Sequence, residues 1–135
     1  MQRTTTSQPG ILADRAARIV VDAALAVHRA LGPGLLESVY EDCLAHELAL
    51  RDVPVKRQVA LPIVYRGLRI EPGLRMDMLV DDIVVVEVKA VEALSSLHEA
   101  QLLTYLKLSA RPLGLLINFN VTLLKHGLRR LVLTP

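Results

Sequence analysis

The chain has 135 residues, a formal net charge of +2 and a hydrophobic fraction of 52%. This length is typical of one domain with one core, and no apolar run reaches the ~18 residues that a membrane-spanning helix needs. The single cysteine excludes an intrachain disulfide and a cysteine-based metal cluster, while three tyrosines and one phenylalanine are too few for a platform that stacks single-stranded bases.

The two ends of the chain lead to an expectation about its organisation. The N-terminal ten residues are polar and lack the apolar stretch of a signal peptide. We expect residues 1–10 to form a flexible lead-in and residues 11–135 to form a single domain. The lone cysteine and the lack of a signal peptide predict a cytoplasmic protein with no membrane partner, and the surplus of apolar residues predicts a homodimer.

Two helices are predicted at the start of the domain. Apolar residues at spacings of three and four predict a helix over residues 11–31, which the Gly-Pro-Gly at 32–34 ends. A second helix is predicted over residues 35–51, with Glu41 facing solvent. Its predicted apolar stripe consists of Leu36, Val39, Tyr40, Cys43, Leu44 and Leu48.

Three extended segments follow, at residues 55–66, 68–80 and 83–90. Pro62 predicts an edge strand or a bulge in the first, because proline has no N–H to donate to a sheet. The second is predicted to be interrupted at 71–73, where the sequence reads Glu-Pro-Gly. The polar pair at 81–82 predicts a tight hairpin between the second and third segments.

The last third of the sequence predicts a crossover. A helix is expected over residues 97–109, capped by Ser95 or Ser96. A buried strand at 113–119, a turn or short helix at 121–126 and a final strand at 128–133 follow. The predicted order is α-α-β-β-β-α-β(-β), and the strand–helix–strand crossover predicts a parallel pair within a mixed sheet.

Charged residues interrupt the third extended segment, Ile-Val-Val-Val-Glu-Val-Lys-Ala. Glu87 and Lys89 share one face of the strand because side chains alternate across a sheet. A tight hairpin would pair Asp77 near residue 86, beside Glu87. Two carboxylates at one point are ligands for a hard cation, whereas the alternative is a solvent-exposed charged face of little energetic consequence.

The pattern Asp77…Glu87-Val88-Lys89 resembles the catalytic core of the PD-(D/E)XK nuclease superfamily, with Met76 in the place of the proline. The predicted element order is similar to the superfamily's α/β core, a mixed β-sheet flanked by helices. Residues 34–40, Gly-Leu-Leu-Glu-Ser-Val-Tyr, resemble the Gly-x-x-Glu-x-x-Tyr motif of the GxxExxY protein family, and this similarity extends over residues 17–132.

The resemblance implies roles for individual residues. The implied ligands of Mg²⁺, for which Mn²⁺ is an alternative, are Asp77, Glu87, the backbone carbonyl of Val88 and Glu37. The implied catalytic residues are Asp77, Glu87, Lys89 and Gln101, of which Lys89 positions the attacking water and Gln101 holds the water or a phosphate. The implied substrate contacts are Tyr105, Arg75 and Tyr40.

Each of these residues also has a structural interpretation. Glu37 suits the first turn of a helix, because the helix dipole favours an acid there, and Tyr40 suits packing with its hydroxyl bound to a neighbour. Gln101 suits helix packing as well as it suits the site, and His98 is expected to have a packing role. His46 and His126 are predicted at the surface.

The resulting hypothesis is a Mg²⁺-dependent nuclease that hydrolyses phosphodiester bonds of DNA, or of RNA. The alternative is a non-catalytic module that uses a nuclease fold to bind nucleic acid or a protein. The small size and the low net charge favour the alternative, whereas the intact Asp77, Glu87 and Lys89 favour the enzyme.

Overall fold

A five-stranded sheet organises residues 10–133, which are the residues that the computed structural model describes. The elements in chain order are α1 (Ile11–Leu31), α2 (Glu37–Leu50), β1 (Val55–Tyr65), β2 (Leu68–Val80), β3 (Val84–Lys89), α3 (Ser96–Ser109), β4 (Leu113–Asn118), a 3-10 turn (Leu124–Gly127) and β5 (Leu128–Val132). The predicted α/β order, a mixed sheet flanked by helices, is confirmed. Apart from Gly10, the predicted lead-in lies outside the described residues.

The strands lie in the order β1-β2-β3-β4-β5, so each strand pairs with its neighbours in sequence. The β3–β4 pair is parallel and the other three pairs are antiparallel. A parallel pair needs a long crossover, which α3 provides. The structure therefore confirms both the predicted parallel pair and the predicted edge position of β1.

Alternate residues of β3 pack into two different cores. Val84, Val86 and Val88 contact residues of α1 and α2. Val85 faces the other way and contacts Leu102 of α3. The helices therefore lie on both faces of the sheet, and all of β3 before Lys89 is buried. A strand held on both sides is a rigid support for the polar side chains at its end.

Helix α1 packs on the sheet through small side chains. Its buried apolar residues are Ala13, Ala16, Ala17, Val20, Ala23, Ala24 and Val27. They recur at spacings of three and four, as predicted from the sequence. Within residues 10–133, no helix is both long enough and apolar enough to cross a lipid bilayer.

Helix α2 differs from its predicted stripe at three positions. Leu36 precedes the first helical residue and is 74% exposed, and Val39 is 37% exposed. Glu41, which was expected to face solvent, is 7% exposed. Its burial is compensated because side chains of β1 donate hydrogen bonds to its carboxylate.

The β1–β2 hairpin is long and changes register at one point. Leu61 pairs with Leu74, but Ile63 pairs with Ile70, so Pro62 lies opposite residues 71–73. A Cβ on Gly73 would lie 2.9 Å from the carbonyl oxygen of Leu61, which explains the glycine at this close approach. The sequence signal at 71–73 therefore marks a bulge, and β2 continues through it.

Candidate metal and active site

Strands β2 and β3 stop pairing where the predicted carboxylates begin. The ladder runs from Val80, opposite Val84, to Met78, opposite Val86. One further step in this register places Asp77 opposite Glu87. Asp77 was expected near residue 86, and the difference of one arises because the turn contains residues 81–83.

The two carboxylates bind the opposite strand across this opening. The backbone N–H of Asp77 donates to Oε2 of Glu87 at 2.8 Å. The backbone N–H of Val88 donates to Oδ2 of Asp77, also at 2.8 Å. Within residues 10–133, Oδ1 of Asp77 and Oε1 of Glu87 receive no hydrogen bond. The crossed bonds orient both carboxyl groups and leave one oxygen of each for a ligand.

Burial raises the pKa of both carboxyl groups. Burial, followed by the charge of Asp77, raises the pKa of Glu87 to about 8, although the N–H of Asp77 and the charge of Lys89 act in the opposite direction. The pKa of Asp77 is raised mainly by burial, against the hydrogen bond from Val88. A cation between the two groups would favour their charged forms.

The donor set fits a hard divalent cation of small size. Mg²⁺ is commonly held by one or two carboxylates and keeps several of its waters, which matches the pair formed by Asp77 and Glu87. Within residues 10–133, no three side chains of His, Cys, Asp or Glu converge closely enough to hold a metal ion. Any further ligands would therefore be water, backbone carbonyl or substrate oxygens.

Lys89 ends β3 beside the carboxylate pair. Its side chain is partly buried, and its charge lowers the pKa of both Asp77 and Glu87, so the ammonium lies within electrostatic reach of them.

The buried side-chain amide of Asn118 anchors the loop that follows β3. It accepts a hydrogen bond from the N–H of Val91 at 3.0 Å and donates one to the carbonyl of Val91 at 2.9 Å.

Helix α3 brings a second set of polar groups to the pair. Tyr105 is buried, and burial together with the charges of Glu87 and Asp77 raises its pKa to about 12. Its hydroxyl is therefore a protonated donor at neutral pH. Gln101 is partly buried one turn earlier on the same face of the helix. Tyr105 therefore lies within electrostatic reach of the carboxylate pair, and the role of Gln101 stays a prediction.

His98 has a structural role at the start of α3. Its backbone N–H donates to the hydroxyl oxygen of Ser95 at 3.3 Å, and its Nδ1 accepts from the N–H of Ser95 at 3.0 Å. This reciprocal cap satisfies two backbone groups at the helix start. Ser95, one of the two predicted caps, is therefore the N-cap residue.

Tyr40 has the packing role and not the substrate contact. Its hydroxyl donates to the carbonyl of Gly32 and accepts from the N–H of Leu35, and its ring stacks on Phe119 with 4.7 Å between centroids. The side chain has no exposed surface to offer a substrate. The substrate-binding prediction for Tyr40 is therefore wrong, because the residue anchors the loop before α2.

Glu37 and Arg75 lie near the site but are exposed. The charge of Glu37 raises the pKa of Asp77, which places it within electrostatic reach of that carboxylate. Arg75 lies two residues before Asp77 on β2. Both positions are compatible with contacts to a bound ligand.

Glu41 is an element of the site that sequence reasoning missed. Its carboxylate accepts from Arg57 at 2.9 Å and from the amide of Gln58 at 3.1 Å, and its charge raises the pKa of Asp77 and of Glu87. Gln58 has a left-handed backbone, with φ at 51°, which is uncommon for a residue other than glycine. The available signal was spacing, because Glu41 follows Glu37 by four residues on one helix face.

Comparison with known proteins identifies the family. Residues 14–131 match the family model described as the PD-(D/E)XK nuclease superfamily. Neither curated proteins nor solved structures show a significant match to the chain. The family match covers nearly the whole domain and includes the Asp77, Glu87 and Lys89 whose geometry is described above. The chain therefore belongs to the PD-(D/E)XK nuclease superfamily.

Proposed function

We propose that the protein is a metal-dependent nuclease that hydrolyses phosphodiester bonds of DNA, or of RNA. The observation that carries this proposal is the crossed pair of carboxylates at the opening between β2 and β3. Nucleases of this superfamily typically use divalent metals, and Mg²⁺ or Mn²⁺ suits oxygen ligands. We also propose that the chain is a member of the GxxExxY family, that it is located in the cytoplasm and that it forms a homodimer.

Asp77 and Glu87 would hold the metal through their free oxygens, Oδ1 and Oε1. The Val88 carbonyl would be a further ligand, and Glu37 would reach the metal through a bound water. When bound, the metal supplies Lewis acidity and lowers the pKa of water. The chain's own residues perform the positioning. Lys89 orients the attacking water and stabilises negative charge on the phosphate.

The reaction adds water across a phosphodiester bond. The water oxygen forms a bond to phosphorus, one phosphorus–oxygen ester bond breaks, and the departing oxygen takes up a proton. Gln101 holds the water or a phosphate oxygen, and the protonated hydroxyl of Tyr105 donates to the phosphate. Arg75 pairs with a neighbouring phosphate of the substrate.

The test is cleavage of single- and double-stranded DNA and of RNA by purified protein in Mg²⁺ or Mn²⁺. Glu87→Gln keeps an oxygen for the N–H of Asp77 but loses the charge, and we expect activity to fall by at least about 100-fold. Glu92→Gln changes an exposed glutamate five residues away and should leave activity unchanged. Equal activity in Glu87→Gln and the parent protein would contradict the proposal.

A non-catalytic binding module is the second candidate, and two observations favour it. Within the described residues, no three metal-ligating side chains converge, and each carboxylate already serves a backbone amide. Calorimetric titration with Mg²⁺ separates the two candidates. Binding that Asp77→Asn abolishes supports the enzyme, whereas no binding by the parent protein supports the module.

A further inference from the structure

The end of the β1–β2 hairpin beyond the bulge, residues 63–70, forms a surface that we call the hairpin tip. Four of its apolar side chains are strongly exposed: Val64 at 60%, Tyr65 at 64%, Leu68 at 60% and Ile70 at 45%. Two arginines, Arg66 and Arg69, are exposed among them. A cluster of exposed apolar side chains of this kind marks a surface that binds another molecule.

Charge identifies the kind of molecule. Residues 62–76 contain three arginines and one glutamate, a net charge of +2, which equals the formal net charge of the whole chain. The tip itself, residues 63–70, carries Arg66 and Arg69 and no acidic residue. Two copies of the tip would repel each other, whereas a polyanion would be attracted.

Shape fits the same ligand. The tip is a two-stranded antiparallel ribbon, in which Tyr65 pairs with Leu68, and the major groove of a duplex admits such a ribbon. Strand β2 then runs from Leu68 directly to Asp77. Because the bulge at 71–73 adds residues to β2, the distance is taken along β1, where the seven steps from Tyr65 to residue 58 span about 23 Å at ~3.3 Å per residue. This is the length of about seven base pairs.

We propose that the hairpin tip enters a groove of duplex nucleic acid and holds it so that its backbone reaches Asp77 and Glu87. This inference rests on the nucleic-acid substrate of the proposed function. Arg66 and Arg69 contact phosphates on either side of the groove, and Tyr65 and Leu68 contact its floor. Arg69 now pairs with Glu71 at 2.6 Å, and on binding it exchanges this carboxylate for a phosphate.

The first experiment measures binding of a fluorescent duplex by anisotropy in EDTA, where cleavage does not interfere. The double variant Arg66→Ala/Arg69→Ala should bind more weakly and lower the slope of log affinity against log salt by about 2, since each phosphate contact contributes about 0.9. The matched control is Arg15→Ala/Arg29→Ala, which removes the same charge from exposed positions on α1. Equal slopes in the two double variants would overturn the proposal.

The second experiment varies duplex length. Affinity of the parent protein should fall steeply below about seven base pairs, and Tyr65→Ser/Leu68→Ser should weaken binding to long duplexes. Sedimentation of the same variants provides a further check. Tip variants that bind duplex normally but lose self-association would overturn the proposal in favour of contact between copies.

These results separate the inference from the proposed function. Binding through the tip with no cleavage in Mg²⁺ would support the inference and contradict the nuclease. Cleavage and duplex binding that are unchanged in Arg66→Ala/Arg69→Ala would support the nuclease and contradict the inference.

Discussion

The two ends of β2 share one extended backbone but lie in opposite environments. At residues 76–80, which we call the site half, Met76, Met78, Leu79 and Val80 are buried between the helices. At Leu68–Ile70, within the hairpin tip, every side chain is exposed. The bulge opposite Pro62 separates the two ends. One strand can thus provide a rigid, weakly solvated site and a solvated arm, because burial and not backbone conformation sets the properties of the side chains.

The electrostatics of two glutamates on this framework show the same contrast. Glu87, which faces the site half from β3, is buried and has a raised pKa. Glu71, next to the hairpin tip, is exposed, and the hydrogen bond and charge of Arg69 lower its pKa. Identical carboxyl groups therefore respond in opposite directions, since desolvation penalises the charged form and a nearby cation favours it.

The largest expected effect is on stability. Met76→Ala should lower the free energy of unfolding by roughly 2–5 kcal/mol, because it leaves a cavity in a packed core. Ile70→Ala at the hairpin tip should change it by less than about 0.5 kcal/mol. Urea unfolding of both variants measures the difference. Similar losses in the two variants would show that the tip is packed in solution.

A second prediction concerns the pH dependence of stability without metal. Glu87 has a pKa of about 8 in the folded protein and an ordinary value of 4.5, so the folded state binds its proton more tightly than the unfolded state. Its contribution is fully present below about pH 4.5 and is lost as the pH rises towards 8. In EDTA, the thermal midpoint of the parent protein should therefore fall across this range more steeply than that of Glu87→Gln.

Glu71→Gln is the matched control for this measurement. The pKa of Glu71 is lowered, so its contribution has the opposite sign: it is present above the ordinary pKa and lost as the pH falls. The group is fully exposed and screened by solvent, so its replacement should leave the slope of midpoint against pH unchanged. A slope that disappears in Glu71→Gln and persists in Glu87→Gln would contradict our comparison of the two ends.

The smallest expected effect comes from Gln58, on the strand that pairs with the site half. Gln58→Gly removes the cost of a left-handed backbone at a non-glycine residue, about 1 kcal/mol. It also removes the hydrogen bonds from the amide to Glu41, which stabilise by about 1 kcal/mol. The two effects cancel, so the free energy of unfolding should hardly change. Gln58 positions Glu41, whose charge acts on Asp77 and Glu87, so activity should fall by about 10-fold. The matched control is Asp52→Gly, which relieves a similar φ of 59° far from these contacts.

The test measures both nuclease activity and Mn²⁺ affinity for Gln58→Gly and Asp52→Gly. A rise in the Mn²⁺ concentration needed for half-maximal activity in Gln58→Gly alone would identify Gln58 as a positioning residue. Parallel changes in Gln58→Gly and Asp52→Gly would mean that the left-handed backbone has no connection to the site.

Periodicity and local signals were sufficient to predict most of the fold. Each of these signals depends only on residues that are close in sequence. They are the three-and-four spacing of α1, the proline of β1, the turn at 81–82 and the serine cap of α3. The element order followed from these signals. The Asp77…Glu87-Val88-Lys89 spacing also predicted that the two carboxylates lie side by side, because a tight hairpin brings residues ten apart to the same point.

The remaining features depend on contacts between distant elements. Glu41 looks like a solvent-facing residue of α2 until Arg57 and Gln58 of β1 approach it. The hydroxyl of Tyr40 binds Gly32 and Leu35, which are close in sequence, but its ring stacks on Phe119, far along the chain. No local pattern contains Phe119 or the β1 partners of Glu41.

The sequence by itself determined the elements, their order and the carboxylate pair, because short-range spacing and alternation encode them. Only the tertiary structure decided which charges are buried, how the pair binds the opposite strand and where the basic hairpin projects. The physical reason is that hydrogen bonding and desolvation depend on neighbours in space, whereas periodicity depends on neighbours in sequence.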